Sequence, residues 1–326
     1  MSAKVKSSVS TTRVNLGEKV PLDMPFVLYV ELSGFCNLKC KFCPHYIEPE
    51  SLIKDNMSLN TFKKIIDDLG DMGSLKVLRL IGTGEPLLNK NFIEMAKYAK
   101  NSQSISRLEL TTNAILLKKN EYKTELTKYM DRIIISIEGL NADKYFEVAG
   151  TRINFDEFVS NISSLFKNKR DCTIYIKIHN NAINDENDLK LFHKIFSKIC
   201  DEIYVENLVN LWPETISNLG LDNGFRFGGE ATRQLVCTQI FKSMMINANG
   251  DVVPCCVDFK RINNIGNINF QHLRDIWNSQ KLNELRKLHL NAKGGTISPC
   301  KDCSYYQSDP DNIDAYRDEI LKRMIV

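Results

Sequence analysis

From residue 26 to residue 207, apolar stretches of strand length alternate with stretches whose apolar positions recur at helical spacing. FVLYVEL (26–32) is the first strand, and it ends just before a cysteine-rich loop. VLRLIG (77–82), RLELTT (107–112), RIIISI (132–137), TIYIKI (173–178) and EIYVEN (202–207) have the same character. Between the first two, SLNTFKKIIDDLG (58–70) predicts a helix that starts at an N-capping Ser58, turns Phe62, Ile65, Ile66 and Leu69 to one side and closes on Gly70. NFIEMAKYAK (91–100), LKKNEYKTELTKYM (117–130), FDEFVSNISSLF (155–166) and ENDLKLFHKIFSKI (186–199) supply the other helices. Strand followed by helix, repeated through six strands, predicts an α/β fold with a parallel sheet, a partial (β/α)6 barrel of the TIM type. Active groups in such folds gather at the C-terminal ends of the strands.

The pattern dissolves after residue 208. Residues 210–229, NLWPETISNLGLDNGFRFGG, are rich in Gly and Asn and have no period, so they predict a linker or an irregular crossover. FKSMMINANGDVVPCC (241–256) then predicts two short strands turning at Asn249-Gly250, and HLRDIWNSQKLNELRKLHL (272–290) predicts a helix. The expected organisation is an N-terminal extension (1–24), a barrel core (25–208), a linker (209–232) and a small C-terminal domain (233–326). There is no internal repeat and no low-complexity tract.

Composition narrows the partners. A formal net charge of +3 in 326 residues singles out no charged partner, and no basic stretch interleaves with aromatics as single-strand binding requires. Neither a signal-peptide core nor an apolar run of membrane-spanning length is present, so the expectation is a cytoplasmic protein that binds neither membrane nor nucleic acid. In that compartment ten cysteines point to metal ligation or redox chemistry rather than a disulfide framework. Cys36, Cys40 and Cys43 form one set; Cys237, Cys255, Cys256, Cys300 and Cys303 form another; Cys172 and Cys200 stand alone, where a free cysteine commonly serves as a small core residue. A structural zinc ion closes its tetrahedron with a fourth ligand, so three cysteines on one loop would need a distant partner. A 4Fe-4S cluster can be held through three of its irons, leaving the fourth open to a small molecule.

The loop FCNLKCKFCP (35–44) places CxxxCxxC directly after the first strand of a partial barrel, with aromatic Phe42 before the last cysteine. In spacing and position it resembles the radical S-adenosylmethionine (radical SAM) superfamily. The resemblance implies that Cys36, Cys40 and Cys43 hold a 4Fe-4S cluster whose open iron chelates SAM. GTGEP (82–86) follows the second strand and is similar to the family's GGEP segment, with Thr83 where a glycine stands; Gly82, Gly84 and Glu85 would then border the methionine end of SAM. Glu85 has a structural alternative as a partner within its own turn. Thr112 and Asn113 end the third strand, and Ser136 and Glu138 end the fourth as SIEG, positions that in relatives line the ribose and carboxylate pocket; each could instead cap backbone groups at its strand end.

Cys237, twelve residues, Gly250, four residues and Cys255 fit the opening of an auxiliary-cluster domain of the SPASM type, and Cys300 and Cys303 add a CxxC. No cysteine follows Cys303, which resembles the shortened, single-cluster form called twitch. The resemblance implies two 4Fe-4S clusters, SAM as cosubstrate and an external electron donor such as flavodoxin or ferredoxin; zinc is the structural alternative for the second set. The same spacing resembles radical SAM aminocyclitol dehydrogenases, so a small-molecule substrate is expected: dehydrogenation or epimerisation of a sugar, nucleotide-sugar or aminocyclitol. Epimerisation needs a thiol to return a hydrogen atom, with Cys172, Cys200 and Cys256 as candidates. Modification of a peptide or protein is the enzymatic alternative, and an iron-sulfur or zinc protein without turnover is the alternative from another class. The GTP cyclases of molybdopterin synthesis are disfavoured because they end in Gly-Gly, where this chain ends in Met-Ile-Val.

Overall fold

The computed structural model of the chain describes residues 2–9, 13–209, 234–303, 305 and 309–324. Its strands are β1 (Lys4–Val5), β2 (Val27–Val30), β3 (Val77–Leu80), β4 (Leu108–Thr112), β5 (Arg132–Ile137), β6 (Thr173–His179), β7 (Glu202–Glu206), β8 (Ser243–Ile246), β9 (Asp251–Val253) and β10 (Gly266–Asn267). They form one sheet in the order β1-β7-β6-β5-β4-β3-β2-β8-β9-β10. The six strands expected from the alternation are β2 to β7, neighbours in sequence order and all parallel, the partial barrel. The sheet does not stop at the composition changes. β1 adds to β7 in parallel, and β8 pairs in parallel with β2, Tyr29 opposite Met245. β9 and β10 then continue as antiparallel strands.

Alternation along each strand divides the sheet into two environments. Leu28, Val30, Leu78, Leu80, Ile133, Ile135, Ile174 and Ile176 are completely buried against the helices. The intervening residues line the bore, and many are charged: Arg79 donates to Glu109 at 2.6 Å, Arg132 to Glu202 at 2.6 Å, and Lys177 to Glu206 at 2.8 Å. Two of the pairs bridge adjacent strands and Arg132–Glu202 spans from β5 across β6 to β7, so each of these charges taken from water has a partner on the inner face.

The first core helix runs Leu59–Met72 and ends one turn later than Gly70 would place it. Ser58 caps it by accepting from the Thr61 amide at 3.0 Å. Gly70 lies within the helix on its exposed side, and Gly73, at φ +131°, makes the stop that a side chain would resist. The single helix expected over 272–290 is two, Leu273–Trp277 and Gln280–Leu290, because Ser279 caps a new start by accepting from Leu282. A further helix, Ala142–Ala149, lies between β5 and β6, capped by Asn141 and closed by Gly150 at φ +63°. Trp212 and nearly all of the expected linker fall outside the described residues.

The N- and C-terminal segments close the lower end of the barrel, where the parallel strands begin. Leu16 and Val20 are buried in the main core, Arg13 pairs with Asp311, and Lys242 donates to both oxygens of Asp309 at 2.7 Å. Asp309 is also bonded by Thr238 and Gln239. A cavity of about 390 Å³ opens here beside Tyr29, Arg79, Arg107 and Lys242. Among the described residues no helix is long and apolar enough to cross a membrane. Asp309→Ala leaves Thr238 and Gln239 without their shared acceptor and Lys242 with Asp311 alone, at 2.6 Å. We expect it to cost about 1–3 kcal/mol in urea unfolding, against under about 1 kcal/mol for the exposed pair partner Glu186→Ala.

Candidate active site

The loop that carries Cys36, Cys40 and Cys43 leaves the upper, C-terminal end of β2 and is pinned by backbone on two sides. Lys39 and Lys41 donate to the carbonyls of Ala149 and Val148 at 2.8 and 3.0 Å, and the Glu85 amide donates to the Phe35 carbonyl at 2.8 Å. Cys43 precedes the short helix Pro44–Ile47, and its amide donates to the Cys40 carbonyl at 2.8 Å, which turns the second and third thiols toward a common side. Burial pushes the Cys36 thiol up to about 12 and Cys43 to about 11, with Cys40 also raised. The neighbouring thiols add to the rise in Cys36 and Cys40, and Glu138 does so for all three. Without a cation these thiols stay protonated; bound iron, which deprotonates a ligating thiol, would relieve their mutual repulsion. Among the described residues no three His, Cys, Asp or Glu side chains stand close enough to hold a single metal ion. The fit to a cluster rests on the thiols' common burial and mutual influence.

The GTGEP turn packs directly on this loop. A Cβ on Gly84 would lie 2.1 Å from the Ser33 carbonyl oxygen and 2.5 Å from that of Phe35, and one on Gly82 would strike the Glu31 side chain. Only glycine allows so close an approach of turn to loop. Glu85 is buried, and its carboxylate accepts from Thr112 Oγ1 at 2.6 Å, the Asn113 amide at 2.8 Å and the Leu87 amide at 3.2 Å. Its oxygens thus tie its own turn, through Leu87, to Thr112 and Asn113 at the end of β4. Burial outweighs those three donors and raises its carboxyl to about 7. Thr83 departs from the expected glycine for a visible reason: its amide and hydroxyl donate to Glu31 Oε1 at 2.9 and 2.7 Å.

Asn113 reaches over the cysteine loop, donating to Asn37 Oδ1 at 2.7 Å with its Nδ2 also 4.0 Å from Cys36 Sγ. Ser136 and Glu138 leave the end of β5 on the bore side, Ser136 half-buried and Glu138 buried. Glu138 Oε2 lies 3.5 Å from His179 Nε2, and the His179 ring meets Phe42 edge-on at 5.0 Å between centroids. Phe42, Gly84, Asn113 and Glu138 therefore surround the cysteine loop, while Glu85 and Thr112 support it from behind.

The second set lies at the other end of the bore. β8 runs parallel to β2 but β9 returns antiparallel, with Val253 opposite Met245, so Cys255 and Cys256 sit near the start of β2 rather than its end. Burial and the surrounding thiols raise Cys237, Cys300 and Cys303, the last two to about 12 and about 11, and the hydrogen bond to Cys256, then burial, raise Cys255. Cys237 is influenced by Cys300 and Cys303, and Cys255 by Cys237, Cys256 and Cys303, so one buried volume joins all four. Cys256 is hydrogen-bonded to the Cys255 thiol and also packs against the apolar cluster of Tyr29, Met245 and Val253. Cys172 and Cys200, 1% and 3% exposed, lie in the main core instead.

Glu31 and His179 were not among the sequence candidates. Glu31 ties Thr83 to the C-terminal region, where the Ala248 amide approaches its Oε2 at 3.3 Å and Arg261 at 3.8 Å. The signal was a charged or polar residue at alternate positions of otherwise apolar strands, as in FVLYVEL and TIYIKIH.

Comparison with known proteins agrees with this arrangement. The profile of the Radical SAM superfamily matches residues 30–192, and that of an iron-sulfur cluster-binding domain, SPASM, matches residues 237–304. The tungsten-containing aldehyde ferredoxin oxidoreductase cofactor-modifying protein of Pyrococcus furiosus is 24% identical over 85% of this chain and 86% of its own. The S-adenosyl-L-methionine-dependent 2-deoxy-scyllo-inosamine dehydrogenase of Niallia circulans is 23% identical over 85% and 92%. Among solved structures, Streptococcus suis SuiB bound to precursor peptide SuiA shares the fold at a TM-score of 0.64, with 18% identity over 90% of this chain and 72% of that one.

Two outcomes follow from the geometry. Gly84→Ala must displace the cysteine loop, so iron bound at that loop is lost while the iron of the second set remains, as metal analysis of the reconstituted protein will show. Folding raises the proton affinity of Glu85, so its stabilisation is complete below its ordinary 4.5 and disappears as pH rises through about 7. Relative to Glu85→Gln, the metal-free wild type should lose about 3 kcal/mol of unfolding free energy between about pH 4 and pH 8, read from urea midpoints.

Proposed function

The chain belongs to the radical SAM superfamily, and from that premise we propose that it removes a hydrogen atom from a small polyhydroxylated substrate held in its bore, oxidising a secondary alcohol to a ketone. It is a radical SAM enzyme: the family brings a SAM-binding 4Fe-4S cluster and SAM, and the SPASM region brings auxiliary iron-sulfur binding. When bound, these groups supply a 5'-deoxyadenosyl radical by reductive cleavage of SAM and an acceptor for the electron that the substrate gives up.

The chain's own residues do the rest. Cys36, Cys40 and Cys43 are assigned to the SAM-binding cluster, and Cys237, Cys255, Cys300 and Cys303 to the auxiliary one. Gly82 and Gly84 open the backbone edge for the methionine end of SAM. Glu85 and Thr112 fix that edge, while Phe42, Asn113, Ser136 and Glu138 border the adenosyl end. The bore holds the substrate and keeps water and stray hydrogen donors from the radical.

One observation carries the proposal: two partly buried thiol sets stand at opposite ends of a bore whose walls are ion-paired. An ionic wall suits hydroxyl and amino groups, as on a sugar or aminocyclitol, better than an apolar peptide side chain. The dehydrogenase from Niallia circulans, which by its name acts on 2-deoxy-scyllo-inosamine, gives the substrate class to try first. A second reading, epimerisation, is favoured by the Cys256 side chain on the bore face.

The test uses the anaerobically reconstituted protein with SAM, dithionite and carbon-deuterated 2-deoxy-scyllo-inosamine or glucosamine. Deuterium should appear in 5'-deoxyadenosine together with a ketone product, and the Cys36, Cys40 and Cys43 triple alanine variant should form neither. Cys256→Ala should leave ketone formation within about threefold of wild type. Incorporation of a solvent-derived hydrogen into a diastereomeric alcohol would instead establish epimerisation, and deuterium transfer from no sugar or aminocyclitol would overturn the substrate class.

A further inference from the structure

His179 is the last residue of β6 and stands where the two parts of the site meet. Alternation puts it on the bore face with Tyr175 and Lys177, since Ile174, Ile176 and Ile178 are buried against the helices. Above it are Phe42 of the cysteine loop and Glu138 of β5; one pleat below is Lys177, and directly across the ladder is Glu206. The side chain is 9% exposed and that of Glu138 8%. His179 Nδ1 has no hydrogen-bond partner, and Nε2 faces Glu138 Oε2 at 3.5 Å without making a hydrogen bond. A buried polar atom left unpaired is destabilising, and one on a ring that a carboxylate already orients is a place kept for a ligand.

The atom types say what that ligand offers. An imidazole whose one nitrogen faces a carboxylate presents the other as an acceptor, and the carboxylate stabilises the imidazolium that results. Two amides or two carboxylates would bind a hydroxyl group; an imidazole and a carboxylate can also take its proton. Resting on the dehydrogenation reading above, we propose that His179 is a catalytic residue that accepts the hydroxyl proton of the substrate as the alcohol becomes a ketone, with Glu138 as its positioning partner. The step balances: the carbon has already lost its hydrogen atom to the adenosyl radical. The O–H bond then breaks with its proton going to His179, the C–O bond becomes C=O, and one electron leaves to the auxiliary iron-sulfur cluster.

The test compares wild type with His179→Phe and His179→Asn on the same perdeuterated 2-deoxy-scyllo-inosamine and glucosamine, and adds a measurement on metal-free protein. The account expects deuterium transfer to 5'-deoxyadenosine within about threefold of wild type, while ketone per 5'-deoxyadenosine falls by about a hundredfold or more. The metal-free His179→Phe chain should also melt roughly 2 °C or more above wild type, because the unpartnered Nδ1 is removed and the ring contact with Phe42 kept. Unchanged ketone yield in both variants would overturn the proposal and leave the dehydrogenation reading standing. Loss of SAM cleavage would place His179 in the cosubstrate pocket, and a lower melting point for His179→Phe would make it a structural residue; either overturns the proposal. If wild type transfers deuterium from neither substrate, the dehydrogenation reading on which it rests fails, and the proposal with it.

Discussion

The arrangement depends on one pairing: β8 lies parallel to β2, with Tyr29 opposite Met245. A hairpin following the barrel could have added antiparallel to the open edge, which would have carried its cysteines toward the same end as the first loop. Here β8 enters from below, β9 turns back at Gly250, and Cys255 and Cys256 emerge beside the first residues of β2 while Cys36 lies beyond its last. The strand itself becomes the spacer between the two cysteine sets. At a rise of about 3.3 Å per residue, Val27 to Glu31 spans roughly 13 Å.

That spacer is lined with charge, and each of these charges is met by another from a nearby strand. Arg79 with Glu109, Arg132 with Glu202 and Lys177 with Glu206 pair around the wall. Isolated, any one of them would be costly to bury; paired, they form a rigid polar lining. At the upper rim the pairing becomes a joint. Glu31 holds Thr83 of the GTGEP turn with one oxygen and faces Ala248 and Arg261 with the other, so the turn that packs on the cysteine loop and the C-terminal region share one carboxylate. Glu138 and His179, by contrast, have polar atoms left over, and this is where chemistry rather than packing explains the residue types.

The barrel strands were legible because period and composition agreed: Leu28, Val30, Leu78 and Leu80 are apolar on the side where burial is complete. The cysteine loop was legible from its spacing alone. Less visible was anything decided across the sheet. No local pattern says that Ser243–Ile246 will lie beside β2, or that the residues before Met24 will contribute Leu16 and Val20 to the core. Gly70 misled for a similar reason, since an exposed glycine is tolerated within a helix that packs on its other side. His179 was hidden in a strand read for its isoleucines. Its chemistry emerges only when β5 and the cysteine loop bring Glu138 and Phe42 against it.

The central claim is that two iron-sulfur clusters stand at opposite ends of one bore, and the separation of the two paramagnetic centres in the reduced, reconstituted protein tests it most directly. Magnetic dipolar coupling measured by pulsed electron paramagnetic resonance should give a distance on the order of 15 Å, the length of the strand spacer and its adjoining turns. A single paramagnetic centre, or two separated by more than about twice that distance, would contradict the placement of the second cysteine set below the bore.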